Sequence, residues 1–92
     1  MLKTKHTGPK THYICQMYER LSGTRGKTAA LSVAKSVECS NEEQLVDRAE
    51  RSFASGSFVG VDAYRIEIDP DLGEPNDPVF LARLGDVPEL EF

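Results

Sequence analysis

The sequence predicts an α+β fold: a four-stranded antiparallel sheet made of two β-hairpins, with one helix between the hairpins packed on one face. Three observations lead to this element order, ββαββ. Residues 11–19, 58–69 and 79–84 are rich in β-branched and aromatic residues. Residues 40–55 carry a helix-start signal followed by one apolar stripe. The length of 92 residues is that of a single domain, 1–92.

The first hairpin is predicted from its turn residues and from what precedes them. Residues 1–10 are polar and basic, and we expect them to form a flexible arm. The segment 20–27 contains two glycines, a serine and a threonine, which favour a turn. Residues 28–39 are compatible with a strand, through alternating apolar residues, or with a short helix, through their alanines. We favour the strand because the preceding loop is typical of a hairpin.

The helix at residues 40–55 has the clearest local signals. In the sequence Ser-Asn-Glu-Glu, the Ser40 hydroxyl can accept from the amide of Glu43, whose carboxylate can reach back to the amide of Ser40. The apolar stripe consists of Leu45, Val46, Ala49 and Phe53. Gly56 is the predicted stop. A stripe this narrow indicates a helix that lies on a sheet and exposes its other side to water.

The second hairpin is interrupted by an acidic loop. Residues 58–69 change the phase of their apolar alternation near Ala63, which a bulge, a twist or burial on both faces would explain. Residues 69–78 contain three prolines and are predicted to form a rigid acidic loop before the last strand, 79–84. Residues 85–92 are predicted to form an acidic tail.

The predicted sheet is wider than its helix. One helix is about 10 Å across, whereas four strands at about 4.8 Å spacing cover more than that. We therefore expect an uncovered apolar face, to which we assign Tyr13, Met17, Val61, Ala63, Val79 and Leu81. An exposed apolar patch on a small domain is typical of a protein interface. The sequence thus predicts a small, non-enzymatic protein-interaction module that self-associates, as a homodimer, through this face.

The charge distribution supports an alternative function. Residues 1–37 carry a net charge of +6 and residues 56–92 a net charge of −7. The basic arm and first hairpin loop could bind nucleic acid through Lys10, Arg20, Arg25 and Lys27. The sequence pI of about 5.1 argues against this alternative, because dedicated nucleic-acid domains are commonly basic.

Two loops resemble ligand-binding loops but fail on spacing. The segment Gly-Thr-Arg-Gly-Lys-Thr at 23–28 resembles a phosphate-binding loop, yet Leu21 occupies the position of the required first glycine. The segment 69–73 resembles the start of a calcium loop, yet Gly73 is fifth rather than sixth and Phe80 replaces the terminal glutamate. We therefore expect neither nucleotide nor calcium as a ligand.

The histidines and cysteines do not predict a metal or catalytic site. His6, His12, Cys15 and Cys39 are suitable zinc ligands by type. His12 and Cys15 are three residues apart, which puts them on opposite faces of a strand and separates a nucleophile from its base. We expect no catalytic residue, no metal, no cofactor and no small-molecule substrate.

The sequence also predicts a cytoplasmic location. Two cysteines at this spacing do not form a disulfide framework, which indicates reduced thiols. No secretory signal and no apolar segment of membrane-spanning length are present, so no membrane partner is expected.

Two segments look like parts of short, uncharacterised bacterial proteins. They are the helix-to-strand run Ser40–Tyr64 and the ending Asp-Pro-Val-Phe-Leu-Ala-Arg-Leu-Gly at 77–85. The resemblance covers the C-terminal half of the chain and implies no function.

Overall fold

The computed structural model describes residues 10–21, 30–69, 71, 73 and 75–89. In chain order the elements are β1 (Lys10–Arg20), β2 (Leu31–Cys39), α1 (Glu42–Ala54), β3 (Gly60–Ile68) and β4 (Val79–Gly85). All four strands form one antiparallel sheet with the helix on it, so the predicted α+β fold is confirmed.

The strand alternative for residues 28–39 is confirmed over Leu31–Cys39. The predicted arm lies outside the described residues up to residue 9, and Lys10 already belongs to β1. Of the first hairpin loop, residues 22–29 also lie outside the described part of the chain.

The strands lie in the order β2-β1-β3-β4. Each hairpin pairs with itself, and the two hairpins join through the antiparallel pair β1 and β3. Because α1 connects β2 to β3, the chain passes over the sheet before it returns beside β1. The two outer edges of the sheet are therefore β2 and β4.

The helix begins one residue later than the sequence analysis predicted. Asn41, not Ser40, is the N-cap: its side chain accepts from the Gln44 amide at 2.8 Å. The Gln44 side chain accepts in turn from the Ser40 amide at 3.3 Å. The predicted reciprocal cap is present but shifted, because Asn and Gln satisfy the same helix-end amides as Ser and Glu.

The core lies between α1 and one face of the sheet. Leu45 and Ala49 are fully buried on the helix, which ends at Ala54 and is followed by Gly56 with φ +78°. The buried core residues are Cys15, Met17, Leu45, Ala49, Val61 and Ala63. Phe53, the last residue of the predicted stripe, keeps 39% of its surface exposed and packs beside Gly85 at the rim.

The change of apolar phase near Ala63 has two structural causes. The first half of β3 buries its odd-numbered residues under the helix, and the second half places Tyr64 and Ile66 on the other face. A bulge lies at the same level, but in β4: Ala63 pairs with Ala82 and Tyr64 with Phe80, which leaves Leu81 unpaired. The apolar residues of β3 therefore lie on the helix-covered face in its first half and on the other face in its second half.

Candidate functional site

The sheet has one helix-covered face and one open face, and the strand register assigns each residue to one of them. On β1 the odd-numbered residues face the helix, as the complete burial of Cys15 and Met17 shows. Met17 pairs with Val61 and Cys15 pairs with Ala63, so these β3 residues share that face. The open face consequently carries the even-numbered residues of β1 and β3.

The six residues predicted for the uncovered face lie on the helix-covered side instead. Met17, Val61 and Ala63 have at most 1% of their surface exposed and form the core, so assigning them to an open face was wrong. Tyr13 and Leu81 are half-buried against the same core. Val79 is 45% exposed, and its pairing with Arg65 places it on the helix side at the sheet's margin.

The open face is nevertheless apolar, through a different set of side chains. It forms a shallow concavity of about 430 Å³. The apolar side chains lining it are Tyr18, Leu31, Val33, Tyr64, Ile66, Pro78, Phe80 and Pro88. Val33 is the most exposed large apolar residue among those described, at 52%. The sheet therefore has an uncovered apolar face, but the residues that form it differ from the six that were predicted.

A buried ion pair lies at the floor of this concavity. Asp62 is 1% exposed and accepts two hydrogen bonds from Arg83, from Nε at 2.6 Å and from Nη2 at 2.9 Å. The Tyr18 hydroxyl donates a third at 2.8 Å and itself accepts from Gln16 at 3.0 Å. Among the described residues, every buried side-chain nitrogen and oxygen has a partner. The charge at the centre of the open face is thus fully compensated within the chain.

The network shifts the proton affinities of its members. Burial raises the pKa of Tyr18 to about 12, and its hydrogen bond to the Asp62 carboxylate adds to the shift. Burial and the charge of Asp62 also raise the pKa of Tyr64. The hydrogen bonds to Asp62 raise the pKa of Arg83 above its usual value. At neutral pH the concavity therefore holds neutral phenols around one compensated ion pair.

The segment after β4 closes one end of the concavity. The backbone of Asp86 donates to the carbonyl of Val59 at 2.9 Å, and its carboxylate pairs with Arg20. Arg83 Nη2 donates to the carbonyl of Pro88 at 2.6 Å, and the Arg83 guanidinium lies 4.6 Å from the centre of the Phe80 ring. Asp86 and Pro88 of the predicted tail are thus bonded to the sheet, and residues 90–92 lie outside the described part.

Of the residues predicted to bind nucleic acid, the structure describes two, Lys10 and Arg20, and these two lie far apart. Lys10 and Arg20 begin and end β1, so ten residue steps separate them by roughly 33 Å. The positive charge of Arg20 is paired with Asp86. Arg25 and Lys27 lie outside the described residues.

The histidine and cysteine side chains lie on different faces of the sheet. His12 Nδ1 is 2.7 Å from the carboxylate of Glu38 on the open face. Cys15 is buried under the helix, which raises the pKa of its thiol to about 11. Cys39 lies on the same side as Cys15, at the pair Tyr13–Cys39, and both thiols are free. The remaining candidate zinc ligand, His6, lies outside the described residues.

Both edge strands depart from regular pairing. On β2, Met17 pairs with Lys35 and Tyr18 with Val33, which leaves Ala34 in a bulge. On β4 the bulge is at Leu81. Bulges and lysines on edge strands are common protections against edge-to-edge pairing.

Within the described ranges, the one helix is too short and too polar to cross a membrane. Comparison of the chain with protein families, with curated proteins and with solved structures finds no match.

Sequence reasoning missed the open-face residues because both phases of β1 carry bulky side chains. A usable signal was Asp62, a carboxylate between Val61 and Ala63 in an otherwise apolar run. A charge there needs a buried partner, and the opposite charge available on the neighbouring strand is Arg83.

Proposed function

We propose that this protein is a small, non-enzymatic interaction module that associates with a second copy of itself through the open face of its sheet. The observation that supports this most directly is the apolar concavity, whose charged floor is compensated within the chain. Such a surface loses little by leaving water, because its central charges already have their hydrogen bonds.

The charges of the open face favour an identical partner. Arg83 pairs with Asp62 at the centre and Arg20 with Asp86 at one end, and the Glu38 carboxylate lies 2.7 Å from His12 Nδ1. Lys10, at the outer end of β1, has no such pair among the described residues. In a two-fold dimer each copy presents the same surface, so any uncompensated charge near the axis would meet itself. A face whose central charges cancel internally avoids that repulsion.

For two copies of this chain, the sheet edges favour contact between faces over pairing of edge with edge. β2 carries a bulge and Lys35, and β4 carries a bulge at Leu81. A second sheet would therefore stack on the open face, in the manner of two sheets packing at about 10 Å.

The size of the face sets the expected affinity. Four strands at about 4.8 Å and seven residues at about 3.3 Å give a face of roughly 19 by 23 Å. That is about 440 Å², roughly half of the about 800 Å² that a stable interface buries per partner. We therefore expect a weak dimer whose population depends on protein concentration.

The test is light scattering after size exclusion, over a range of protein concentrations and at low and high salt. We expect a concentration-dependent dimer that high salt does not dissociate, because the interface is apolar. Val33→Glu should give a monomer at all these concentrations. Val79→Glu is the matched control: it places the same charge at a similarly exposed valine on the helix side, and it should leave the dimer intact.

A monomeric wild-type protein, or equal dissociation by both substitutions, would refute self-association through this face. Circular dichroism of each variant establishes that the helix and sheet remain folded. The charge that Val33→Glu introduces lies on an exposed strand position, so loss of the fold is not expected.

Nucleic-acid binding stays the alternative proposal, through Lys10, Arg20, Arg25 and Lys27. It predicts binding to a single-stranded oligonucleotide that weakens steeply with salt, and Arg25→Ala with Lys27→Ala should flatten that dependence. Binding of this kind by a monomeric protein would favour the alternative over self-association.

The proposed compartment is the cytoplasm. Cys15 and Cys39 are free thiols, and free thiols persist in reducing compartments.

A further inference from the structure

A second concavity, of about 580 Å³, lies between α1 and the end of β2, away from the open face. It forms because the helix packs mainly on β1, β3 and β4 and makes its fewest contacts with β2. Cys39 and Phe58 contribute apolar surface, and Gln44, Arg48 and Ser52 contribute polar groups from the helix.

Two acids and two arginines line the groove. Asp47 pairs with Arg51 at 2.8 Å, and the Glu38 carboxylate lies within hydrogen-bond distance of His12 Nδ1, at 2.7 Å. Within the described ranges, the Arg48 guanidinium has neither an ion pair nor a hydrogen bond. In a chain of net charge −4, a groove that offers a free guanidinium is complementary to an acidic partner.

The adjoining strand adds a second free cation and a free edge. Lys35 pairs with Met17, so it lies on the helix side of β2 together with Cys39, and it too has no ionic partner in the described part. Beyond the bulge at Ala34, Lys35–Cys39 is a regular stretch, and among the described residues no strand lies beside its outer backbone N–H and C=O groups.

These charges discriminate between possible occupants. Two copies of β2 would bring two Lys35 and two Arg48 charges to one place, and like charges at a strand pair are unfavourable. A strand with acidic side chains meets the same groups favourably. Lys35 therefore opposes pairing of β2 with the β2 of a second copy, and it favours pairing with a strand that carries acidic side chains.

We propose that β2 and the groove beneath it bind an extended acidic segment of another protein, added as a fifth strand along Lys35–Cys39. Its backbone pairs with the free edge of β2, and alternate side chains enter the groove. An acidic side chain lies near Lys35 and another near Arg48, and the residue between them packs on the half-buried Val37.

The test is selection of short random peptides displayed on phage against the full chain. We expect enriched peptides to be rich in Asp and Glu alternating with β-branched residues. Amide signals of Lys35–Cys39 should shift when a selected peptide is titrated and followed by NMR. The double substitution Lys35→Gln with Arg48→Gln should weaken binding at least about tenfold, and added salt should weaken it as well.

The matched control is Lys10→Gln with Arg65→Gln, which removes the same charge at sites away from the groove and should leave peptide affinity unchanged. A selected peptide with methylated backbone nitrogens on the pairing side should not bind, because strand addition needs those N–H groups.

No enrichment would overturn the proposal, as would peptides that bind both double variants equally or that shift the open face instead. Light scattering of the Lys35→Gln/Arg48→Gln protein should show the same dimer as the wild type, since the groove and the open face are separate. Failure of one proposal is thereby distinguished from failure of the other.

Discussion

Removal of the buried carboxylate of Asp62 should destabilise the fold by about 3 kcal/mol, although Asp62 lies on the face that the helix does not cover. Asp62→Ala deletes the acceptor of three hydrogen bonds, two from Arg83 and one from Tyr18. Tyr18 is 5% exposed, so its hydroxyl proton would lose its acceptor without gaining water, at about 1–3 kcal/mol.

In Asp62→Ala, the unpaired Arg83 lowers the stability less than a fully buried arginine would. Its side chain is 25% exposed and keeps its hydrogen bond to the Pro88 carbonyl, so it regains part of its solvation. Loss of one partner of a fully buried ion pair is worth about 3–5 kcal/mol, and the partial exposure places this case at the lower end.

Urea denaturation followed by circular dichroism measures the free energy of unfolding, at a protein concentration low enough to keep the chain monomeric. Arg65→Gln is the control, since the Arg65–Glu42 pair is exposed and 3.9 Å apart and should change stability by less than about 0.5 kcal/mol. A loss below about 1 kcal/mol for Asp62→Ala would contradict the idea that this network is desolvated and coupled.

Three further outcomes follow from the structure. The free energy of unfolding should fall as the pH rises from 9 to 12. The unfolded chain loses the Cys15 proton near 9.0 and the Tyr18 proton near 10.0, whereas the folded chain holds these protons to about 11 and about 12. In urea melts, Tyr18→Phe should flatten the upper part of this pH dependence, and an unchanged curve would refute the raised pKa of Tyr18. A thiol reagent should modify Cys39 in the folded protein and Cys15 only after denaturation, as mass spectrometry would show, and rapid labelling of both would indicate that the core opens. Gly60→Ala should lower the free energy of unfolding by at least about 2 kcal/mol, because its Cβ would lie 1.7 Å from the Asp86 carbonyl oxygen. Gly73→Ala, whose Cβ would have no atom within 4 Å, should lower it by only about 1 kcal/mol through its positive φ. Equal melting temperatures of the two variants would contradict this difference.

The elements of the fold were predictable because their signals are local. Strand propensity, the turn residues between strands and the apolar stripe of the helix each lie within a short window. The helix start was displaced by one residue because Ser40 and Asn41 are both good caps, and only the geometry shows which one accepts from Gln44.

The identity of the open face was not predictable from local pattern. Tyr13 and Met17 alternate with Ile14 and Tyr18 on β1, so both phases could form a core. Which phase is buried depends on where the helix crosses the sheet, and that is set by long-range packing. The Asp62 network needs the register of β3 and β4, which places Arg83 opposite Asp62 across 21 residues of chain.

The strand order also has a consequence for how fast the protein folds. The pair that joins the hairpins, β1 and β3, aligns Lys10 with Ile68 and Tyr18 with Gly60, whereas within the first hairpin Arg20 aligns with Leu31. Each hairpin closes a short loop, but the central pair closes a loop that includes β2 and the whole helix. Folding should therefore take milliseconds or longer, with both hairpins able to form before the central pair that completes the core.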